Sequence, residues 1–431
     1  MTAIKFLFKN SRPLKYFIFS LTCVVFAVIL TSCEQNPTAP NEPPKPPGYQ
    51  EDIYWPSLAD SPWPKYRHDP QNTGRSLYPG PKEGVINWEI DSLYLLSELI
   101  LGDEDNLLTV TGSGYLYNFN LSGILKWEQT FFGNGSYHIT TTPLITSSGN
   151  IIVADNNNVY SLTNTGDLNW NFVPNSSIYI TGLNIDIEGN IYLTDDNGTL
   201  YSLNKNGNLN WTYFDNRFYS NEEAGIAFSP DGKTLYLPGW DTSLFAFDII
   251  DRKIKWSIDK GTVRSSPLVD SQGNIYIITS RDQQDTVFFY SLTSEGQERF
   301  SYQFTSSWGN YWKVDPTIDK NGNLFFAGDT LYSLDYSGNL RWKLDLTDYN
   351  ISPLVNDVQG NIYIITEQLF TGKHTLLSVN NNGITNWEIQ FYFLDIPGYS
   401  PIIGSNNSLY MNVLNIDAIH DPEYVAIYSI K

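Results

Sequence analysis

Short apolar runs alternate with polar turns along almost the whole chain, and the alternation itself repeats. From residue 184 the pattern reads Asn184-Ile185-Asp186-Ile187, the polar turn Glu188-Gly189-Asn190, then Ile191-Tyr192-Leu193-Thr194. Asp195-Asp196-Asn197-Gly198 follows, then Leu200-Tyr201-Ser202-Leu203, the turn Asn204-Lys205-Asn206-Gly207, and Leu209-Asn210-Trp211-Thr212. Four-residue runs rich in β-branched and aromatic residues, bounded by Asn, Asp and Gly, predict four short antiparallel strands joined by tight turns. No segment past residue 50 shows a long helical periodicity.

The unit recurs. Its last landmark, an aromatic four residues after a turn glycine, falls at Trp88, Trp127, Trp170, Trp211, Trp256, Phe300, Trp342 and Trp387, in steps of 39, 43, 41, 45, 44, 42 and 45 residues. The turn before the second strand gives an independent count of eight, at Asn106, Asn150, Asn190, Lys233, Asn274, Asn323, Asn361 and Asn407. Four short strands in a period of about 40–45 residues predict the blade of a β-propeller. The expected fold is therefore all-β: eight four-stranded antiparallel blades over residues 84–431. The aromatic landmarks should fill the space between adjacent blades. The last unit supplies only Pro401–Ile403, Leu409–Val413 and Val425–Ser429, while Gly84–Ile90 supplies an unclaimed outer strand. The N-terminal strand should thus pair into the last blade and close the ring, leaving no open edge.

The first 32 residues read differently. A basic start (Lys5, Lys9, Arg12, Lys15) precedes a mostly apolar run over residues 16–30, then Leu30-Thr31-Ser32-Cys33. The apolar run is too short to span a bilayer and suits an export signal. The final four residues resemble a bacterial lipobox, which would make Cys33 the lipidated first residue of the mature chain and the membrane its first partner. Residues 33–50 hold six prolines between 37 and 47 and form a semi-rigid tether. Residues 51–83 are a lead-in to the first repeat.

Charge and side-chain inventory narrow the chemistry. The chain carries a net charge of −20, and because residues 1–32 hold four cations and no acid, the remainder carries −24. That balance excludes sequence-independent nucleic-acid binding and disfavours anionic lipid head groups. Cys23 and Cys33 are the two cysteines and the four histidines are far apart, so no metal site and no thiolate chemistry is expected in the body. The Asp-x-x-Gly-Asn turns at Asp186, Asp270, Asp319 and Asp357 lack the ligand spacing of a calcium loop and read as turn chemistry.

The phrase Leu-Tyr-Ser-Leu…Gly-x-x-x-Trp resembles the PQQ-like repeat of eight-bladed propellers. Trp63-Pro64-Lys65-Tyr66-Arg67-His68-Asp69, leading to Thr73-Gly74, is similar to a phrase that opens many members of that group. The resemblance implies one of two branches: quinoprotein dehydrogenases that hold PQQ and calcium, or non-catalytic lipoproteins of the BamB type. The docking phrase here is one residue shorter than the dehydrogenase form, Arg252 replaces its glycine in the copy ending at Trp256, and neither an adjacent cysteine pair nor a haem-attachment phrase is present.

With no catalytic constellation visible, function should sit on the connections between blades, which emerge together on one face. Several are aromatic. The candidate binding face comprises Phe131, Phe132, Tyr137, Phe218, Tyr219, Trp308, Tyr311, Trp312, Phe391 and Phe393. Such a ring suits a peptide, an unfolded strand or a sugar. Alternatively, alternate aromatics extend the outer strands and bury between blades. The reading is an exported, lipid-anchored scaffold of the bacterial envelope, at the outer membrane, with protein partners, no catalytic residue and no cofactor. A PQQ-dependent dehydrogenase and a carbohydrate-binding surface lipoprotein are the alternatives.

Overall fold

The alternating pattern builds antiparallel sheets in the computed structural model. It describes residues 44–431 apart from 95–96, 103–105, 112–113, 131–140, 156–157, 175–178, 219–224, 240–242, 281–285, 307–314, 347–348, 369–372, 393–398 and 416–423. Among the described residues the strands form eight sheets; in seven the strands pair in chain order from the inside outwards, and in the eighth the first strand of the chain takes the outermost place. Blade 3 shows the plan, with strands Ile180–Ile185, Ile191–Asp195, Thr199–Leu203 and Leu209–Phe214. In blades 5 and 7 the inner strand is broken into two pieces.

The inner strand of blade 3 starts earlier than the pattern predicts and stops at Ile185, because Asp186 is consumed by the turn. Its carboxylate accepts the backbone N–H groups of Glu188 (2.9 Å) and Asn190 (2.8 Å), the Asn190 side-chain amide (2.9 Å) and the Tyr192 hydroxyl (3.1 Å). Asp270 and Asp357 hold Tyr276 and Tyr363 in the same way, at 2.9 and 3.1 Å. Each carboxylate is thus occupied by its own turn, and each tyrosine is fixed for burial between blades.

Second and third strands are buried on both faces, whereas outer strands alternate between exposed and half-buried residues, as along Lys253–Asp259. The core therefore lies in the seams between blades. Phe289 of blade 5 stacks on Phe326 of blade 6 at 4.3 Å, and Tyr192 of blade 3 meets Phe228 of blade 4 edge-on at 5.3 Å.

The repeated phrase has a direct structural cause. Ser161, Ser202, Ser291, Ser333 and Ser378 each lie opposite the aromatic landmark of their own blade, where a small residue leaves room for the ring. A register shift follows each of these pairs, the mark of a β-bulge. The half-buried ring then lies over the turn glycine of the next blade. A Cβ at Gly207, whose φ is +78°, would sit 2.5 Å from the Trp170 ring. Trp170 Nε1 also donates to the Lys205 carbonyl at 3.1 Å, and Trp88, Trp256 and Trp342 make equivalent bonds to Leu121, Ser294 and Asn381. At the seam between blades 3 and 4 the glycine is replaced by Arg252, which adopts the same left-handed backbone (φ 54°) and places its guanidinium 5.6 Å from the Trp211 ring centre.

The ring closes as expected. Strand Ile86–Tyr94 pairs antiparallel with Tyr424–Ile430, with Trp88 opposite Ser429 and a register shift beside it. Blade 8, assembled from both ends of the chain, thereby repeats the Ser–Trp bulge of blades 2, 3, 6 and 7. Val85 and Lys431 exchange backbone hydrogen bonds of 2.9 and 2.8 Å. Trp387 of blade 7 docks on Gly84 and donates to the Pro81 carbonyl at 3.1 Å, which completes the cycle of seams.

Candidate functional site

Antiparallel blades put alternate connections on opposite faces. Turns between first and second and between third and fourth strands share one face, the turn face. Hairpins between second and third strands share the other, the loop face, with the blade-to-blade connections. Function in a propeller can reside in the central channel or on either face.

The channel is filled by the chain itself. Residues 48–80 bind the innermost strands, or the turns just after them, of blade after blade. A first pass bonds Gln50 N–H to Lys320 O (2.9 Å), Trp55 Nε1 to Ile185 O (3.0 Å) and Ala59 N–H to Ile145 O (2.9 Å). A second pass offers the carbonyls of Trp63, Pro64, Pro70, Gln71 and Gly74 to the N–H groups of Leu101, Ile145, Phe228, Val269 and Asn356, at 2.8–3.0 Å. These acceptors satisfy donors on the free inner edges, which an open channel would leave to water. A segment that binds the innermost strands of blades all round the ring occupies its axis.

The tip of this plug is polar and ordered. Arg67 is fully buried and donates to the carbonyls of Pro316 and Leu354, with its Nε 4.0 Å from Asp315. Lys65 Nζ donates to the carbonyls of Tyr66 (2.7 Å) and Asp69 (3.0 Å) and to Asn72 Oδ1 (3.1 Å). Arg67, His68 and Asn72 have positive φ, a conformation held by these bonds. Tyr66 bonds Asp315 and, at 3.1 Å, Ser266. Burial, then the carboxylates of Asp315 and Glu98, push its phenol well above the ordinary value, so it stays protonated.

Asp69 organises the loop, accepting the N–H groups of Gln71 (3.1 Å) and Thr73 (3.0 Å) and the Thr73 hydroxyl, with His68 Nδ1 3.2 Å away. Burial alone would raise its carboxyl, but the hydrogen bonds from His68 and Thr73 outweigh it and hold the group at about 2. A depressed carboxylate contributes stability that is complete above its unfolded value near 4 and is lost as pH falls towards the folded one. Asp69→Asn should therefore cost about 2 kcal/mol at neutral pH, and the gap from wild type should close between about pH 4 and pH 2 in urea titrations.

The quinone cofactor of the dehydrogenase branch does not fit this channel. A planar ligand on the axis would have to displace Arg67 and the carbonyls it binds. Among the described residues no group of three or more His, Cys, Asp or Glu is placed to hold a metal ion.

On the loop face the expected aromatic ring divides. Phe131, Phe132, Tyr137, Tyr219, Trp308, Tyr311, Trp312 and Phe393 lie outside the described residues. Phe218 and Phe391 are buried, which corrects their assignment to an exposed face. Phe218 ends a short 3-10 turn, Asn216–Phe218, that folds back to pack edge-on against Phe245 at 5.0 Å. Phe391 belongs to the outer strand Thr385–Tyr392, whose alternation turns it inward against Tyr428 at 5.0 Å. Among the described residues, exposed apolar side chains here lie on blades 2 and 3: Val173, Tyr179 and Phe214 are 58%, 44% and 67% exposed. The hairpin Asp195–Gly198 joins them. Tyr179 N–H donates to Asp196 Oδ1 at 3.0 Å, and Phe214 pairs with Thr199. Beside them Arg217 holds Asp215 at 2.6 Å, and its hydrogen bonds keep that carboxyl below the usual range.

Comparison with known proteins agrees with this architecture. A search of curated proteins by sequence finds no match. The solved structure of BamB from Moraxella catarrhalis is similar with a TM-score of 0.57 at 16% identity, over 80% of this chain and 97% of that one. The quinohemoprotein alcohol dehydrogenase from Comamonas testosteroni is similar with a TM-score of 0.61 at 11% identity, over 88% of this chain and 81% of that one. A europium-containing methanol dehydrogenase also reaches 0.61 at 11% identity, over 86% and 98%. At such identities these likenesses concern the fold. A family model described as outer membrane protein assembly factor BamB matches residues 79–213 and 148–307, together more than half of the sequence, and the chain belongs to that family of PQQ-like repeat β-propellers.

Proposed function

We propose that the protein is a lipid-anchored, non-enzymatic binding scaffold of the bacterial cell envelope that works in outer-membrane protein assembly. The observation that carries the reading is the plugged channel in a member of the BamB family. With the axis filled by the chain's own Trp63–Arg75 segment, the surface left for partners is the outside of the ring. Among the described residues no helix is long and apolar enough to cross a membrane. The lipobox-like Leu30-Thr31-Ser32-Cys33 supports attachment through lipid at Cys33. The binding face in this reading is the loop face, where Val173, Tyr179 and Phe214 are exposed; Trp308, Tyr311 and Trp312, which the sequence puts on a connection between blades, lie outside the described residues. Exposed aromatics in a polar rim are the residues that dominate protein interfaces.

The test is affinity capture from detergent-solubilised envelope, comparing wild type with Tyr179→Ser/Phe214→Ser and with Trp308→Ala/Trp312→Ala. Recovery of β-barrel assembly components by wild type and a drop of about tenfold in either variant is the expected result. Equal recovery by all three would move the partner surface off this face. Recovery of polysaccharide instead would favour the carbohydrate-binding alternative.

A further inference from the structure

The chain leaves the propeller at one fixed place. Pro44–Pro47 are exposed, and Gly48 is in contact with the propeller. Gly48 lies against the ring of Tyr336, where any side chain would collide. Tyr49 lies beneath Lys320, 5.3 Å from its Nζ, and Glu51 N–H donates to Ser271 Oγ at 3.1 Å. Lys320 and Ser271 belong to turns between first and second strands, and Tyr336 to a turn between third and fourth strands. The exit is therefore on the turn face.

That same face carries aliphatic and aromatic side chains round the ring. Tyr54 is 84% exposed, Ile124 63%, Ile187 40%, Leu209 47%, Leu340 47% and Ile384 63%. They come from turns of blades 1, 3, 6 and 7 and from the lead-in, so they are spread over the face rather than clustered in one seam. They leave apolar surface open to solvent on the face where the chain exits. Residues 33–46 set the length available between Cys33 and the propeller: at about 3.1 Å per residue, a fully extended Pro-rich chain of that length spans at most about 43 Å.

We propose that the turn face is the membrane-facing side of the protein and rests on the lipid interface, with Tyr54 and the turn aliphatics contacting it. The inference rests on the lipid tether at Cys33. A short tether leaving the turn face keeps that face near the bilayer, where tyrosine and aliphatic side chains at head-group level lower the free energy. The body's negative charge makes the surface suited to zwitterionic rather than anionic lipid. The loop face with its aromatic patch is then turned away from the membrane, towards partners.

The experiment uses the lipidated full-length protein in phosphatidylcholine vesicles with a quencher on the lipid head groups. Single cysteines at Tyr54→Cys, Ile384→Cys, Val173→Cys and Phe214→Cys carry an environment-sensitive fluorophore, and lipid on Cys33 is verified by mass spectrometry. All four sites are exposed, so folding should survive, which circular dichroism checks. Quenching about threefold stronger at Tyr54 and Ile384 than at Val173 and Phe214 is expected. A triple variant, Tyr54→Ser/Ile124→Ser/Ile384→Ser, labelled at Leu209→Cys, should still float with vesicles but show weaker quenching than its parent. Flotation with equal quenching on both faces, or stronger quenching on the loop face, overturns the orientation while the tether stands. Protein isolated from the envelope that carries no lipid on Cys33 overturns the tether and the orientation with it. A dimer that hides the turn face from quencher, seen by sedimentation, also overturns the proposal.

Discussion

Arg67→Ala should lower the unfolding free energy by about 3–5 kcal/mol. The guanidinium is fully buried, bridges carbonyls of blades 6 and 7, and faces Asp315. Truncation leaves two buried acceptors without donors and a buried carboxylate without its counter-charge, and each of these carries its own penalty. Arg67→Lys should recover part of the loss, because an ammonium restores the charge but cannot span both carbonyls. Urea titration at neutral pH, followed by tryptophan fluorescence, measures both. An Arg67→Ala chain as stable as wild type would mean that the plug is passive filling rather than a brace across the ring.

The ring was legible in the sequence because its grammar is local. Serine opposite tryptophan, and glycine beneath the next tryptophan, recur at fixed short spacings, so one blade predicts the next. Even Arg252 was visible as a break in that grammar, and its positive φ with a cation over Trp211 explains how the break is tolerated. Phe218 and Phe391 were misread for a local reason too. A strand that runs on to Tyr392 and a single 3-10 turn look like loop in sequence, yet alternation and back-folding turn their rings inward.

The plug was not legible, because its contacts are not local. Arg67 reaches carbonyls 249 and 287 residues away, and no spacing rule links Gly74 to Asn356. A signal was nonetheless present. Trp55, Leu58, Trp63 and Tyr66 are too apolar for a tether, and Lys65, Arg67 and Asp69 crowd three charges into five residues. Apolar anchors interleaved with close opposite charges mark a segment that must be buried and paired. Such a segment ahead of the first repeat has one large polar enclosure available to it, the channel.

The other large effect concerns closure. A chain beginning at residue 84 keeps the closing strand and loses the plug; one beginning at residue 97 loses both. The first should fold into a destabilised ring with ligand-accessible inner edges. The second should not fold cooperatively at all. Without Ile86–Tyr94, strand Tyr424–Ile430 becomes an open edge, Trp88 no longer packs on Tyr410 at 5.8 Å, and Glu89 no longer holds the Tyr428 hydroxyl at 2.7 Å. Trp387 loses Gly84 beneath it, so the blade 7 seam loosens together with the blade 1 seam. Two failed seams and an unpaired ladder exceed the net stability of about 5–15 kcal/mol that folded domains possess. Near-ultraviolet circular dichroism and limited proteolysis distinguish the two truncations. A peptide spanning residues 84–94, added in trans to the shorter chain, should restore protection by supplying the missing strand and both glycine–tryptophan contacts. Full protection of the shorter chain without the peptide would mean that the ring closes by some other pairing and that the N-terminal strand is dispensable.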